Sequence, residues 1–135
     1  MSPFRPLEHE AELGLEIEGD SLEEVFADAA LGLAAALAPP GAVAARDARR
    51  VEVTGEDLAA LLVRWLAEWH YLYETEGWLP AEVRITALTS GRVAGEARGD
   101  VPGAPAIREI KAVTRHQALV ERSGAGWRAR VIFDV

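Results

Sequence analysis

Acidic groups at the two ends of the sequence could together hold a metal ion. His9, Glu10 and Glu12 come directly before an alternating apolar stretch, and the chain closes with Asp134 and the α-carboxylate of Val135. If the last strand is well ordered, Asp134 and the terminal carboxylate stand side by side, and a third carboxylate nearby would complete a set of oxygen ligands. Such a set suits calcium or magnesium. The alternative is that the termini fray and that Glu12 is a solvated surface acid.

A single lysine is the second candidate for a functional residue. Lys111 is the only lysine among the 14 basic residues of the chain, and all the others are arginine. Lysine is a compact point charge whereas arginine presents a planar fork, so a position that keeps lysine in an arginine-rich chain can have a function. Glu109 and Lys111 alternate with Ile110 and therefore share one face of a predicted strand. That face is either solvated or lines a cleft.

The signatures of common enzyme sites are absent from the sequence, which contains no GxxxxGK[ST] loop, no GxGxxG and no GxSxG. His9, His70 and His116 lie far apart without metal-ligand spacing, and His70 is interpreted as a partly buried helix residue. Glu74 and Glu76 end a predicted helix, where acidic side chains oppose the helix dipole. Either a functional contact or a nearby arginine would explain that placement.

The elements that must position these residues follow from hydrophobic periodicity. Alternation over residues 13–17 predicts a strand, and a capping box at Ser21 and Glu24 opens a helix over residues 21–38. A second helix begins at residues 54–57 and ends at Gly77. The remaining segments are a loop at 39–49, a short strand at 51–53, a mobile Gly/Pro-rich loop at 90–106, and strands around 83–87, 93, 107–113, 118–120 and 127–133.

This order of elements predicts an α+β fold. We expect one domain over residues 1–135, with a mainly antiparallel sheet and two helices packed on one face. The order is β-α-β-α followed by four or five strands with short connections, and this group of strands without intervening helices favours the α+β class.

Charge and composition restrict the class of partner. The chain has 14 basic and 22 acidic residues, a net charge of −8, and no cysteine. A chain this acidic lacks the footprint for strong direct binding to nucleic acid, although a local basic patch stays possible. The absence of cysteine excludes disulfides and thiolate metal sites. With no signal peptide and no apolar run of roughly 20 residues, a cytoplasmic protein without a membrane partner is expected.

Several stretches resemble one protein family, in family order and across nearly the whole chain. They are HEAELG at 9–14, SLEEVFADAA at 21–30, the second-helix segment at 57–77, EIKAVTRH at 109–116 and WRARVIFDV at 127–135. The EIKAVT piece and the closing piece are the most specific. Together these stretches resemble the archease family, the small activators of the GTP-dependent RNA ligase that joins tRNA halves.

The resemblance implies an accessory protein and not an enzyme. Its partner would be the RNA ligase of tRNA splicing and RNA repair, whose guanylylation and multiple turnover it would promote. Glu12, Asp134 and Val135 match the family's metal-binding positions, and Lys111 matches the lysine of its functional surface, which would face the partner or a nucleotide. The implied cofactor is a divalent cation, calcium or magnesium.

This sequence departs from the family pattern at several of these positions. Glu12 replaces the usual aspartate and is longer by one methylene, so a bound ion must shift or change its affinity. Glu10, Glu74 and Arg115 replace threonine, aspartate and tyrosine. Two other classes stay open: a generic protein chaperone or interaction module, and a stand-alone metal-dependent hydrolase that uses the same carboxylates.

Overall fold

The chain forms two helices and six strands in a computed structural model that describes residues 11–135. In chain order the elements are β1 (Glu12–Gly19), α1 (Leu22–Leu37), β2 (Asp47–Thr54), α2 (Leu58–Glu76), β3 (Leu79–Leu88), β4 (Arg92–Asp100), β5 (Ala112–Ser123) and β6 (Gly126–Asp134). None of the helices in this part of the chain is long and apolar enough to cross a membrane.

The strands divide between two antiparallel sheets of three strands each, in the orders β1-β6-β5 and β2-β4-β3. Each sheet is built from a β-α-β-β stretch, and one stretch is inserted into the other between α1 and β5. The two helices contact each other and strands of both sheets. The predicted α+β class and the antiparallel pairing are confirmed, with two sheets in the place of one.

Local capping signals determine where the helices begin and end. At α1 the Ser21 hydroxyl accepts a hydrogen bond from the Glu24 amide at 3.1 Å, and the Glu24 carboxylate accepts one from the Asp20 amide at 3.2 Å. At α2 the Asp57 carboxylate accepts from the Ala60 amide at 2.8 Å. Gly77 ends α2 in the left-handed region at φ 72°, as a glycine can without strain. The predicted helix boundaries are therefore confirmed within one or two residues.

A cluster of tryptophans joins the helices to the sheets. Trp65, Trp69 and Trp78 are fully buried, with Trp65 edge-on to Trp69 and Trp69 stacked on Trp78. The Trp65 indole N–H donates to the Phe26 carbonyl of α1 at 2.9 Å. This buried hydrogen bond ties the two helices together, because neither group has water as an alternative partner.

The loop predicted over residues 90–106 was wrong for residues 92–100, where the strand predicted around residue 93 extends over nine residues. Arg92–Asp100 is β4, the central strand of its sheet. Its small residues meet a packing requirement: a Cβ added to Gly95 would lie 2.7 Å from Cη2 of Trp65. The buried positions of β4 include Ala94, Gly95, Ala97 and Gly99, so most of the strand lacks the strong apolar alternation by which strands are recognised in sequence. β2 likewise begins at Asp47, inside the predicted 39–49 loop.

Residues 101–111 form an irregular segment between β4 and β5, so the strand predicted from residue 107 begins only at Ala112. The segment satisfies the open end of α1. The Ile107 amide donates to the Leu37 carbonyl, and the Arg108 guanidinium donates to the Ala36 carbonyl, each at 2.9 Å. α1 has no basic residue in its own last turn, so Arg108 supplies the cation that favours the C-terminal end of a helix dipole.

Candidate functional site

The first residue of β1 and the last residue of β6 are direct partners in the antiparallel ladder. Glu12 pairs with Asp134, and the next pair is Leu13 with Phe133. Phe133 is fully buried and Leu13 packs against the core, so the Glu12 and Asp134 side chains point to the opposite, outer face. Directly opposed residues have Cβ atoms roughly 4.5–5.5 Å apart. The strand register thus brings together two carboxylates from opposite ends of the chain.

The C-terminal residue is held beside this pair by the backbone and by packing. The Val135 amide donates to the Ala11 carbonyl at 2.9 Å, which extends the ladder by one residue. The Val135 side chain packs against the core as a partly buried residue. These contacts place the terminal carboxylate next to Asp134, at the same end of the sheet as Glu12.

Lys111 reaches the same sheet end from the other side of β6. Its amide donates to the Asp134 carbonyl at 2.7 Å, and the following residue, Ala112, is the register partner of Asp134 in β5. Lys111 itself precedes the strand, which corrects the prediction that residues 109–111 are strand residues. The predicted alternation still holds, because Ile110 is buried and Glu109 and Lys111 are exposed.

The charges at this sheet end have no local partners within residues 11–135. No arginine, lysine or histidine of that range lies within ion-pair distance of Glu12 or Asp134, and no acid lies within that distance of Lys111. In the same range there is no cluster of three or more histidine, cysteine, aspartate or glutamate side chains. His9 and Glu10 lie outside the residues that the structure describes. The residues predicted as metal ligands from the sequence carry carboxylate oxygens here, which are hard donors of the kind that calcium and magnesium prefer.

His70 contacts the residue next to Lys111, and no sequence pattern predicts this contact. It is buried in α2, as predicted for a helix residue, and its Nε2 lies 2.7 Å from the Ile110 carbonyl. The same nitrogen lies 3.2 Å from Oε1 of Glu74, one turn along the helix. His70 and Ile110 are far apart in the sequence, and no residue spacing marks their contact.

The other titratable residues considered from sequence lie in ordinary surroundings. Glu76 pairs with Arg49 at 3.1 Å, so an arginine accounts for the second acid at the end of α2. His116 is exposed in an irregular part of β5, where the pairing with β6 is interrupted between Thr114 and Leu119. Its position gives no link to the Glu12–Asp134 pair.

Arginine–glutamate pairs cover the outer face of the β2-β4-β3 sheet. A hydrogen bond from Arg92 holds the pKa of Glu52 below its ordinary value of 4.5, and a hydrogen bond from Arg84 does the same for the pKa of Glu96. Both carboxylates are solvent-exposed, so water and salt weaken these pairs. They affect stability at low pH and lie on the sheet that does not contain Glu12 and Asp134.

The chain matches the Archease protein family (MTH1598/TM1083) over residues 4–135. It is 33% identical to Protein archease of Methanosarcina acetivorans, over 98% of this chain and 95% of the relative. It is 36% identical to Protein archease of Thermococcus gammatolerans over the whole of both chains.

Two solved structures have the same fold. The solution structure of Methanobacterium thermoautotrophicum protein 1598 matches with a TM-score of 0.77 and 33% identity, over 96% of each chain. The crystal structure of an archease from Thermotoga maritima, described as a possible chaperone, matches with a TM-score of 0.66 and 25% identity. That match covers 98% of this chain and 97% of the other.

Proposed function

Because the chain belongs to the archease family, we propose that it is an accessory protein of the GTP-dependent RNA ligase of tRNA splicing and RNA repair. It promotes guanylylation of the ligase and multiple turnover, in the cytoplasm, without being a catalyst itself. The observation that carries this proposal is the convergence of Glu12, Asp134, Val135 and Lys111 at one end of the β1-β6-β5 sheet.

The chemistry at this sheet end suits contact with a nucleotide or a guanylylated residue. Glu12, Asp134 and the terminal carboxylate would hold a divalent cation, which supplies positive charge for phosphate oxygens when bound. Lys111 presents a compact ammonium group that reaches a phosphate as a point charge. These groups can bind and orient a phosphate, and none of them is a nucleophile paired with a general base.

The net charge of −8 supports a protein partner over direct RNA binding. A ligase that holds RNA needs a basic active site, and an acidic protein is complementary to it. Charge complementarity of this kind raises the association rate most strongly at low salt. We therefore expect stimulation of the ligase to weaken as ionic strength rises.

The decisive experiment is multiple-turnover ligation with substoichiometric ligase and excess RNA. We expect the unmodified protein to raise the number of turnovers, and Lys111→Ala or Asp134→Ala to abolish that effect while the protein stays folded. Arg128→Ala is the matched control, since Arg128 lies on the same outer face toward the other end of β6 and pairs with Glu121. Unchanged turnover with the unmodified protein would refute the function, and full activity of both site variants would refute the site.

Cation binding is tested separately by calorimetry with calcium and magnesium. Glu12→Ala should lose affinity, while Glu18→Ala, an exposed acid on the same face of β1, should not. Glu12→Asp introduces the acid usual in the family and tests the effect of the additional methylene. Equal binding by Glu12→Ala and the parent protein would remove Glu12 from the site.

A chaperone role is the second candidate. Among residues 11–135, three large apolar side chains are exposed: Tyr71 at 61%, Val101 at 56% and Ile107 at 50%. Exposed apolar groups can bind unfolded clients. The test is whether the protein suppresses aggregation of a heat-unfolded client unrelated to RNA, and whether Tyr71→Ser weakens that effect. No suppression of aggregation would remove this candidate.

A further inference from the structure

The peptide group that joins Ile110 to Lys111 is held at both of its polar atoms. Its carbonyl oxygen lies 2.7 Å from Nε2 of His70 on α2, and its N–H donates to the Asp134 carbonyl of β6 at 2.7 Å. One rigid peptide plane therefore bridges the second helix and the sheet end that carries Asp134. We propose that His70 is a positioning residue for Lys111, an inference that rests on the role of Lys111 in the proposed function.

The direction of the hydrogen bond follows from the chemistry of the partners. A carbonyl oxygen can only accept, so Nε2 of His70 carries the ring proton and donates it. The Glu74 carboxylate, 3.2 Å from the same nitrogen, is a second acceptor that favours this tautomer. Glu74 is about half exposed, whereas Ile110 is only 1% exposed, so the bond to the carbonyl is the buried one.

Burial makes this hydrogen bond hard to replace. Removal of the imidazole donor leaves an unpaired carbonyl in a place that water does not reach readily, and an unsatisfied buried acceptor is costlier than a lost exposed hydrogen bond. The chain would respond by rotating the 110–111 peptide to find another donor. That rotation would turn the Lys111 N–H away from Asp134 and redirect the Lys111 side chain.

The other hydrogen bonds of the irregular 101–111 segment do not substitute for His70. Among the described residues Gly103 donates to the Ala42 carbonyl, and Ile107 and Arg108 bond to the last turn of α1, at least three residues before Lys111. The Ile110 side chain is buried in the core next to Lys111, but an apolar side chain does not fix the orientation of the 110–111 peptide plane. Among the described residues, the His70 imidazole is the side chain that hydrogen-bonds to the 110–111 peptide group.

The experiment compares His70→Leu, which fills similar space without a donor, with His70→Gln, whose amide nitrogen can donate from about the same distance along the side chain. Three quantities are measured: hydrogen exchange of the Lys111 amide, stimulation of ligase turnover, and global unfolding by denaturant. Thr75→Ala is the control, because it removes a side-chain hydrogen bond to the Tyr71 carbonyl on the same helix.

We expect His70→Leu to speed exchange of the Lys111 amide by about tenfold, in line with the loss of one buried hydrogen bond, and to lower maximal stimulation of the ligase. His70→Gln should restore slow exchange and stimulation together, and Thr75→Ala should change neither. If His70→Leu does not fold, His70→Asn replaces it, since its amide is too short to reach the carbonyl.

Parental exchange of the Lys111 amide in His70→Leu would overturn the proposal. The proposal would also be overturned if His70→Gln restored slow exchange of the Lys111 amide but not stimulation of the ligase, because stimulation would then not depend on the position of Lys111. Failure of the unmodified protein to stimulate the ligase would instead refute the proposed function, and the exchange measurements would still decide whether His70 positions Lys111.

Discussion

Deletion of Val135 tests the role of the terminal carboxylate at the proposed cation site with little change to the rest of the fold. In the deleted protein the carboxylate moves back by one residue, about 3.3 Å along the strand, onto the backbone of Asp134. Calcium ligands lie at about 2.3–2.6 Å from the ion, so at the proposed cation site a displacement of this size would move the group out of coordination distance. We expect the deletion to abolish binding of the divalent cation and stimulation of the ligase.

The cost to stability is much smaller than the effect on the site. The deletion removes the hydrogen bond from the Val135 amide to the Ala11 carbonyl and a partly buried valine side chain. A typical hydrogen bond contributes about 1 kcal/mol, and burial of part of a valine contributes about 1 kcal/mol more. A loss of about 2 kcal/mol leaves most domains of this size folded.

Val135→Ala is the matched control, because it keeps both the backbone hydrogen bond and the terminal carboxylate and loses only part of the packing. Urea unfolding should place it between the parent protein and the deletion, at a loss of less than about 1 kcal/mol. Calorimetry with calcium and turnover of the ligase should give parental values for it. The reasoning is refuted if the folded deletion variant binds the cation as tightly as Val135→Ala does.

Three further predictions concern the fold. Gly95→Ala should destabilise the protein by about 1–3 kcal/mol in urea unfolding, because the added Cβ would collide with the buried Trp65 indole. Gly103→Ala is the control and should cost far less, because a Cβ at residue 103 would have its nearest neighbour at 3.8 Å. Equal losses of unfolding free energy in the two variants would contradict the packing argument. Asp57→Ala should cost about 1 kcal/mol through loss of the α2 cap, and no loss of unfolding free energy would show that the cap is dispensable. Arg84 lowers the pKa of Glu96 in the folded protein below 4.5. As the pH falls below 4.5, the unfolded state therefore binds more protons than the folded state, and the free energy of unfolding decreases. Glu96→Gln should reduce this decrease in urea unfolding at a series of pH values, and an unchanged dependence of the unfolding free energy on pH would contradict the argument.

The helices and their ends could be predicted because their determinants are local. The Ser21 capping box, the Asp57 cap and the Gly77 stop each act through residues within four positions of one another. Period-two alternation identified β1 and β6 in the same way. Only the start of β4, around residue 93, could be predicted. The rest of the strand could not, since Gly95 is required by contact with Trp65, a residue of another element whose packing against β4 no local pattern reveals.

The sequence by itself determined which groups are available for function: carboxylates at both ends, one lysine, and the stretches shared with the archease family. Only the tertiary structure decided their arrangement, because β1 and β6 pair across nearly the full length of the chain and their register sets Glu12 opposite Asp134. The same holds for His70 and the peptide of Lys111, which are joined by the packing of α2 against the sheet. Local sequence patterns record the preferences of neighbouring residues, whereas these contacts come from the collective burial of the core.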